Sequence, residues 1–139
     1  MPRRREIKPR RVAEKAAPAA CCPNGGLPPE ALNDLAAELD VLFFRALSEP
    51  IRLELLRLVM HQGPLDVESA AEAFPQDRSV ISRHLAALRA AGLLRSVKLG
   101  RRVIYEVNGA AIVLRLETLL RRMRAAVEAC CPGQLPAGA

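Results

Sequence analysis

The spacing of apolar residues predicts a first helix from Glu30 to Leu47, because its apolar positions recur every three or four residues. Pro29 stands at its start, where a helix tolerates proline. A Pro- and Gly-rich stretch precedes it. The apolar positions of this helix are Leu32, Leu35, Ala36, Leu39, Leu42, Phe43 and Ala46.

Three shorter helices are expected next, separated by turn residues. Gly63-Pro64 stops the first of them, and Asp66 stands where it can cap the second. Asp77 holds the same position before the third, which Gly92 ends as a residue beyond a helix C-terminus does. Their predicted bounds are residues 48–61, 66–74 and 78–91.

Two alternating segments, 94–98 and 103–107, flank a Gly-containing turn and predict a β-hairpin. Asn108 caps a last long helix that runs into Cys130-Cys131. The predicted order is α-α-α-α-β-β-α, a mainly α fold with a hairpin as its wing. A short helix, a tight turn, a second helix and a basic hairpin make a winged helix-turn-helix. One side of the last helix carries Ile112, Leu116, Leu119, Leu120, Met123 and Val127.

Length and composition predict one folded domain. A chain of 139 residues, half of them apolar, suffices for one core but not for two. We expect a disordered basic arm over residues 1–29, the folded domain over 30–131 and a short flexible tail over 132–139. No apolar run approaches a membrane span, and no apolar segment follows the basic N-terminus as in a secretory signal, so we expect a cytoplasmic protein without membrane contact.

The net charge of +6 is concentrated in the arm. Residues 1–20 carry seven Lys and Arg against two Glu, a net charge of +5. The arm, over residues 3–15, is either a set of non-specific phosphate contacts or a solvated tail. The rest of the chain is nearly balanced, so an argument for DNA binding depends on where its charges stand.

The helix from Arg78 to Ala91 has the two faces that a DNA-reading helix needs. Val80, Ile81, Leu85 and Leu88 form its apolar face, and the polar face lies near its N-terminus, where such a helix reaches base edges in the major groove. The hairpin tip adds basic residues for phosphates or the minor groove. His84 is either a phosphate contact or a hydrogen-bonded interior side chain. The candidate DNA-binding residues are Arg78, Ser79, Ser82, Arg83, His84, Lys98, Arg101 and Arg102.

Three motifs in the same region resemble the ArsR/SmtB family of metal-responsive repressors. Residues 46–53, ALSEPIRL, look like its A-L-S-D-P-x-R-L opening. Residues 79–93 resemble its recognition-helix pattern V-S-x-H-L-x-x-L-x-x-A-G-L, and residues 100–105 resemble its G-R-x-x-x-Y wing. The resemblance spans about residues 39–107.

The resemblance implies a repressor that binds double-stranded DNA as a homodimer through its first and last helices. The sequence agrees, because the apolar stripe along residues 110–129 needs a cover, which is either symmetric pairing with a second copy or packing within its own chain. A two-fold dimer places two reading helices on an inverted-repeat operator.

The cysteines form two doublets, Cys21-Cys22 before the first helix and Cys130-Cys131 after the last. Neighbouring cysteines rarely form a disulfide with each other, because the small ring strains the intervening peptide. Two close thiolates, however, suit a soft ion. His61 and His84 are far from them in sequence, so an all-sulfur site is the simplest interpretation. It favours As(III) first, then Sb(III), Cd(II), Hg(II) or Pb(II), and disfavours Ni(II) and Co(II).

The chain departs from the best-known pattern of the family, in which arsenic repressors carry a C-V-C box before the recognition helix. Residues 65–69 contain no cysteine here. Other members place vicinal cysteines in the arm or after the last helix. The resemblance therefore implies that three or four of Cys21, Cys22, Cys130 and Cys131, from one subunit or from two, hold the inducer and disturb the dimer.

Two alternatives to metal sensing concern the same thiols and the helices. Thiols near both ends also suit a redox or persulfide switch, in which one doublet bonds to the other. A plain adaptor using the last helix would leave the basic wing without a role.

Catalysis is not expected, since the sequence has no phosphate-cradling loop, no HExxH motif and no paired-carboxylate site.

Overall fold

A computed structural model describes residues 26–133 and 135 of the chain. It is mainly helical with one β-hairpin, which confirms the predicted fold class. The elements are α1 (Pro29–Glu38), α2 (Val41–Ser48), α3 (Pro50–Gln62), β1 (Leu65–Asp66), α4 (Val67–Glu72), α5 (Arg78–Ala90), β2 (Leu94–Leu99), β3 (Arg102–Val107) and α6 (Gly109–Cys130).

The structure divides the predicted first helix into α1 and α2. Asp40 causes the break, because its carboxylate accepts hydrogen bonds from the backbone N–H groups of Leu42 at 2.8 Å and Phe43 at 3.3 Å. A side chain that binds these groups starts a new helix at Val41. The helical spacing of the apolar residues continues across the break, so the pattern alone predicted a single helix.

The hairpin belongs to a three-stranded antiparallel sheet in the order β1-β3-β2. Leu99 pairs with Arg102 across a two-residue turn, in which Gly100 adopts a φ of +61°. This left-handed conformation favours glycine. Strand β1 was not predicted, because two residues show no alternation; it pairs Leu65 with Tyr105 and so joins the wing to the start of α4.

The core forms around α5. Ile81, Leu85 and Leu88 on one face of α5 are fully buried against α2, α3, α4 and β2. Leu55 of α3 is also fully buried in this cluster. A helix held along one face by so many elements cannot rotate freely, so the direction of its opposite face is fixed.

Helix α6 packs along α1 and keeps much of its apolar surface outside the core. Ala126 is buried, and Ile112 packs against the core. A row of apolar side chains on another side is exposed by 43–54%, and we call it the α6 stripe. It consists of Val113, Leu116, Leu120 and Met123.

Among the helices of the described residues, none is long and apolar enough to cross a bilayer. The predicted domain limits at residues 30 and 131 stay predictions, because much of the arm and of the tail lies outside the described residues.

Candidate nucleic-acid interface and thiol site

The outward face of α5 carries the polar residues that the sequence singled out. Arg78, Ser79 and Arg83 are exposed, and Ser82 is half-buried. They lie on or near the first turns of α5, opposite the buried Ile81. Their contact with DNA stays a prediction, but their position on the protein suits it.

The start of α5 differs from the start of α4. Asp66 caps α4 by accepting a hydrogen bond from the backbone N–H of Ser69 at 2.9 Å, as the sequence predicted. Asp77 holds the N-cap position of α5, but its side chain makes no capping hydrogen bond. The first N–H groups of α5 therefore lack this partner and add positive potential beside Arg78.

The tip of the wing presents three basic side chains, of which one is also bound within the protein. Lys98 and Arg101 are exposed. Arg102 forms an ion pair with Asp66 at 3.4 Å and ties the wing to the cap of α4. The hydrogen bond from Ser69 N–H, and to a lesser extent the charge of Arg102, lower the pKa of Asp66. Asp66 is thus a carboxylate at neutral pH.

A cleft of about 170 Å³ lies between the wing and the start of α5. Arg78, Arg101 and Arg102 line it, together with Asp66 and Glu68. Three guanidinium groups around one cleft suit a phosphate oxygen. The two carboxylates limit how much negative charge the cleft accepts.

His84 lies between the buried and the exposed faces of α5. Its Nδ1 accepts a hydrogen bond from Nε of Arg52 at 3.5 Å, and the side chain is half-buried. Burial, followed by the charge of Arg52, lowers the pKa of His84, although the charge of Glu49 opposes this. The imidazole is therefore neutral at pH 7, and its role as a phosphate contact or as an interior side chain stays a prediction.

The C-terminal doublet lies beside a small apolar cavity at the end of α6. Cys131 is buried, with 4% of its surface exposed, and Cys130 is half-buried. The cavity has a volume of about 180 Å³ and is lined by Leu27, Leu35, Met123, Ala126, Val127 and both cysteines. The doublet thus lies at the end of α6, beside Leu27 and Leu35 at the start of the described residues.

Both cysteines of this doublet are disulfide-bonded in the structure. Cys21 and Cys22 lie outside the described residues. In the reduced form the same sulfurs are soft donors in an apolar setting, which suits a thiophilic ion.

Metal coordination has no further support within residues 26–133, where no three His, Cys, Asp or Glu side chains cluster as ligands would. A complete all-sulfur site would need Cys21 or Cys22, or a second copy of the chain. The donor chemistry of Cys130 and Cys131 fits such an ion, but the ligand set from the sequence stays a prediction.

Two arginines that the sequence did not single out have conspicuous contacts. Arg52 reaches His84 and the backbone carbonyl of Arg45, and Arg115 joins α6 to Asp40. The signal for Arg115 was present, because it stands between Ile112 and Leu119 on the apolar side of its helix. The partner of Arg115 is 75 residues away, which no local pattern indicates.

Comparison with known proteins places this geometry in a family. Residues 49–96 match the profile "Bacterial regulatory protein, arsR family". The chain is 37% identical to the Arsenical resistance operon repressor of Escherichia coli K12 over 70 residues, which are 50% of this chain and 60% of that protein. It is 34% identical to the HTH-type transcriptional regulator NmtR of Mycobacterium tuberculosis H37Rv over 80 residues, covering 58% and 66%. The chain thus spans less than two thirds of the length of these curated relatives.

A solved structure extends the likeness beyond the reading unit. The ArsR-like transcriptional regulator from Rhodococcus sp. RHA1 is 33% identical, with a TM-score of 0.53, over 71% of this chain and 93% of that one. The profile match contains α3, α5 and their connection, where the exposed polar face was found. The chain belongs to the arsR family of bacterial regulatory proteins, which are transcriptional regulators rather than enzymes.

Proposed function

We propose that this chain is a homodimeric transcriptional repressor whose operator is released when a thiophilic metal(loid), arsenite first among them, binds its cysteine thiolates. The observation that carries the DNA-binding part is the exposed polar face of α5 beside a basic wing tip. The observation that carries the sensing part is the cysteine doublet beside an apolar cavity at the end of α6. A repressor of this kind acts in the cytoplasm.

DNA binding is divided between α5 and the wing. Arg78, Ser79, Ser82 and Arg83 approach base edges in the major groove, because they stand near the N-terminus of a helix whose other face is buried. The wing residues Lys98, Arg101 and Arg102 bind the backbone, in part through the cleft that they share with Arg78. His84 also supports α5 through its contact with Arg52.

Dimerisation follows from the apolar surface of α6. The α6 stripe exposes four large apolar side chains in a row, and Leu32 of the neighbouring α1 is 53% exposed. A two-fold contact through α1 and α6 removes this surface from water in both copies. It also sets the distance between two α5 helices, and the operator is therefore an inverted repeat.

Sensing depends on the position of the sulfurs. Cys130 and Cys131 lie at the end of the dimerisation helix, and residues 26–28 lead from the arm towards the same end through Leu27. An ion that joins Cys21 or Cys22 to this doublet pulls on α6 and thereby on the dimer. The name of the Escherichia coli relative, an arsenical resistance operon repressor, supports arsenite as the first ion to test.

A redox switch is the second candidate, and one observation favours it: Cys130 and Cys131 are disulfide-bonded in the structure. In this version an oxidant or polysulfide takes two electrons from a pair of thiols, a disulfide forms, and two protons leave. The same movement of α6 then releases the operator without any metal.

One experiment separates the two signals. Reduced protein on fluorescent inverted-repeat DNA is titrated with arsenite, Cd(II) and Hg(II) under a phosphine reductant, and in parallel with peroxide and polysulfide without one. The variants are C21S/C22S and C130S/C131S. Release by arsenite in the wild type, and its loss in both variants, supports the metal proposal. Release by oxidants alone supports the redox switch, and release by neither contradicts both.

A further inference from the structure

We propose that Arg115 is the positioning residue through which a change at the cysteine end of α6 reaches the DNA-reading helix α5. The inference rests on the proposed function, and it names the residue that connects the cysteine end of α6 to the DNA-reading helix. One guanidinium group of α6 is in contact with the cap of α2, the end of α5 and a core ring, and no other contact described between α6 and these elements is polar.

The first contact of Arg115 is an ion pair with Asp40 at 2.7 Å, between Nη1 and Oδ2. The other carboxylate oxygen of Asp40 accepts the N–H groups of Leu42 and Phe43 and so begins α2. The hydrogen bond from the N–H of Phe43 lowers the pKa of Asp40 most, and the N–H of Leu42 and the charge of Arg115 lower it further. The ion pair is therefore intact at neutral pH and couples α6 to the start of α2.

The second contact is with α5 itself. Nη1 of Arg115 also donates to the backbone oxygen of Ala91 at 3.5 Å, and Ala91 is the C-cap of α5. A helix leaves its last carbonyl groups without partners inside the helix, and its C-terminus attracts positive charge. The arginine thus holds the end of α5 that lies farthest from the bases.

The third contact fixes the guanidinium in place. Its central carbon lies 5.1 Å from the centre of the Phe43 ring, which is buried in the core. A cation over an aromatic face is attracted by the ring. Because Phe43 is held in the core, this contact restrains the guanidinium.

Position along α6 makes this contact suitable for coupling. Ile112 packs against the core one turn before Arg115, whereas the doublet at Cys130 lies 15 residues beyond it, a distance of about 22 Å along a helix. A displacement at the far end therefore bears on the Arg115 contacts, which are polar and directional. Loss of the bond to Ala91 removes a polar restraint from one end of α5, and the other end of α5 carries Arg78 and Arg83.

The test compares Arg115→Met and Asp40→Asn with Arg121→Met as the matched control. Arg121 is exposed on the same helix and bonds to Thr118 within it. The asparagine side chain of the second variant retains an oxygen that can cap α2 but loses the charge, so this variant still tests the ion pair if Arg115→Met unfolds. Operator affinity is measured for each protein in the reduced state, with saturating arsenite, and after oxidation with diamide.

We expect the ratio of operator affinities without and with signal, typically about 5- to 150-fold in allosteric proteins, to fall below about threefold in Arg115→Met and Asp40→Asn. The control keeps the ratio of the wild type. Arsenite stoichiometry and the number of reactive thiols stay unchanged in all variants. A loss of stability alone would lower both affinities together and leave the ratio intact, so the ratio distinguishes coupling from folding.

A second readout needs no operator. Amide hydrogen exchange at residues 88–92 should differ between the reduced and disulfide-bonded forms of the wild type, and this difference should vanish in Arg115→Met. If the wild type shows no difference there, or if the variants keep the full affinity ratio, the inference is overturned. If the difference is present but neither signal releases the operator, the proposed function fails while the connection through Arg115 stands.

Discussion

Leu120 lies in the middle of the α6 stripe with half of its surface exposed, and its replacement by Glu should split the dimer. Full burial of a leucine side chain is worth about 1.5–3 kcal/mol, so covering the exposed half contributes about 1 kcal/mol. A two-fold dimer contains the residue twice, which gives about 2 kcal/mol per dimer, or roughly a 30-fold weaker association. Two carboxylates without partners in an apolar interface add to this cost.

Leu114 offers a matched control on the same helix. It is more exposed than Leu120, at 66%, but six residues earlier it points about 120° away around the helix. Leu114→Glu should therefore leave association unchanged. Sedimentation equilibrium of the two variants gives their dimer dissociation constants. Operator titrations should rank the two variants in the same order of affinity. Equal association of Leu120→Glu and wild type, or equal damage from Leu114→Glu, would refute the assignment of this face to the dimer.

Four further expectations concern DNA contacts and stability. Arg83→Ala should weaken operator binding by about 1–3 kcal/mol, while Lys98→Ala should lower the slope of log affinity against log salt by about 0.9, both measured by anisotropy at several salt concentrations. The N–H of Ser69 lowers the pKa of Asp66, so the stability that the Asp66 carboxylate provides is present above about pH 4 and is lost as the pH falls through its folded-state pKa. The Tm values of Asp66→Ala and wild type should therefore converge at that low pH. Leu88→Ala, at a fully buried position, should cost about 2–5 kcal/mol and lower Tm by roughly 10 °C or more in calorimetry.

The order of elements could be predicted because the turn residues and the apolar spacing agree. Gly92 has the positive φ expected after a helix, and Asp66 caps α4 as its position indicated. The break between α1 and α2 was missed, since Asp40 does not interrupt the three- and four-residue spacing. Its effect arises from a side-chain hydrogen bond that competes with the helix, which hydropathy does not register.

The outward face of α5 was predictable for a similar reason, because burial of Ile81 and Leu85 determines where Arg83 points. Interactions between distant segments were not predictable from the sequence. His84 is paired with Arg52, and Arg115 with Asp40, at separations of 32 and 75 residues. Charge and spacing name the candidates in such cases, but only the packing of the helices decides which side chain a given arginine reaches.

The chemistry of the doublets could be inferred from adjacency, but their oxidation state could not. Cys130 and Cys131 are disulfide-bonded in the structure, which gives the redox alternative a support that the sequence lacked. The enclosure of Cys131 beside an apolar cavity also follows from the packing of α6 on α1, not from any motif.

The measurement that tests sulfur-based sensing most directly is operator release by a protein in which all four cysteines are replaced by serine. The variant and the wild type are bound to the same fluorescent operator under reductant and titrated with arsenite. We expect the wild type to dissociate and the variant to stay bound with its initial affinity at every arsenite concentration. Dissociation of the variant over the same concentration range would contradict the account.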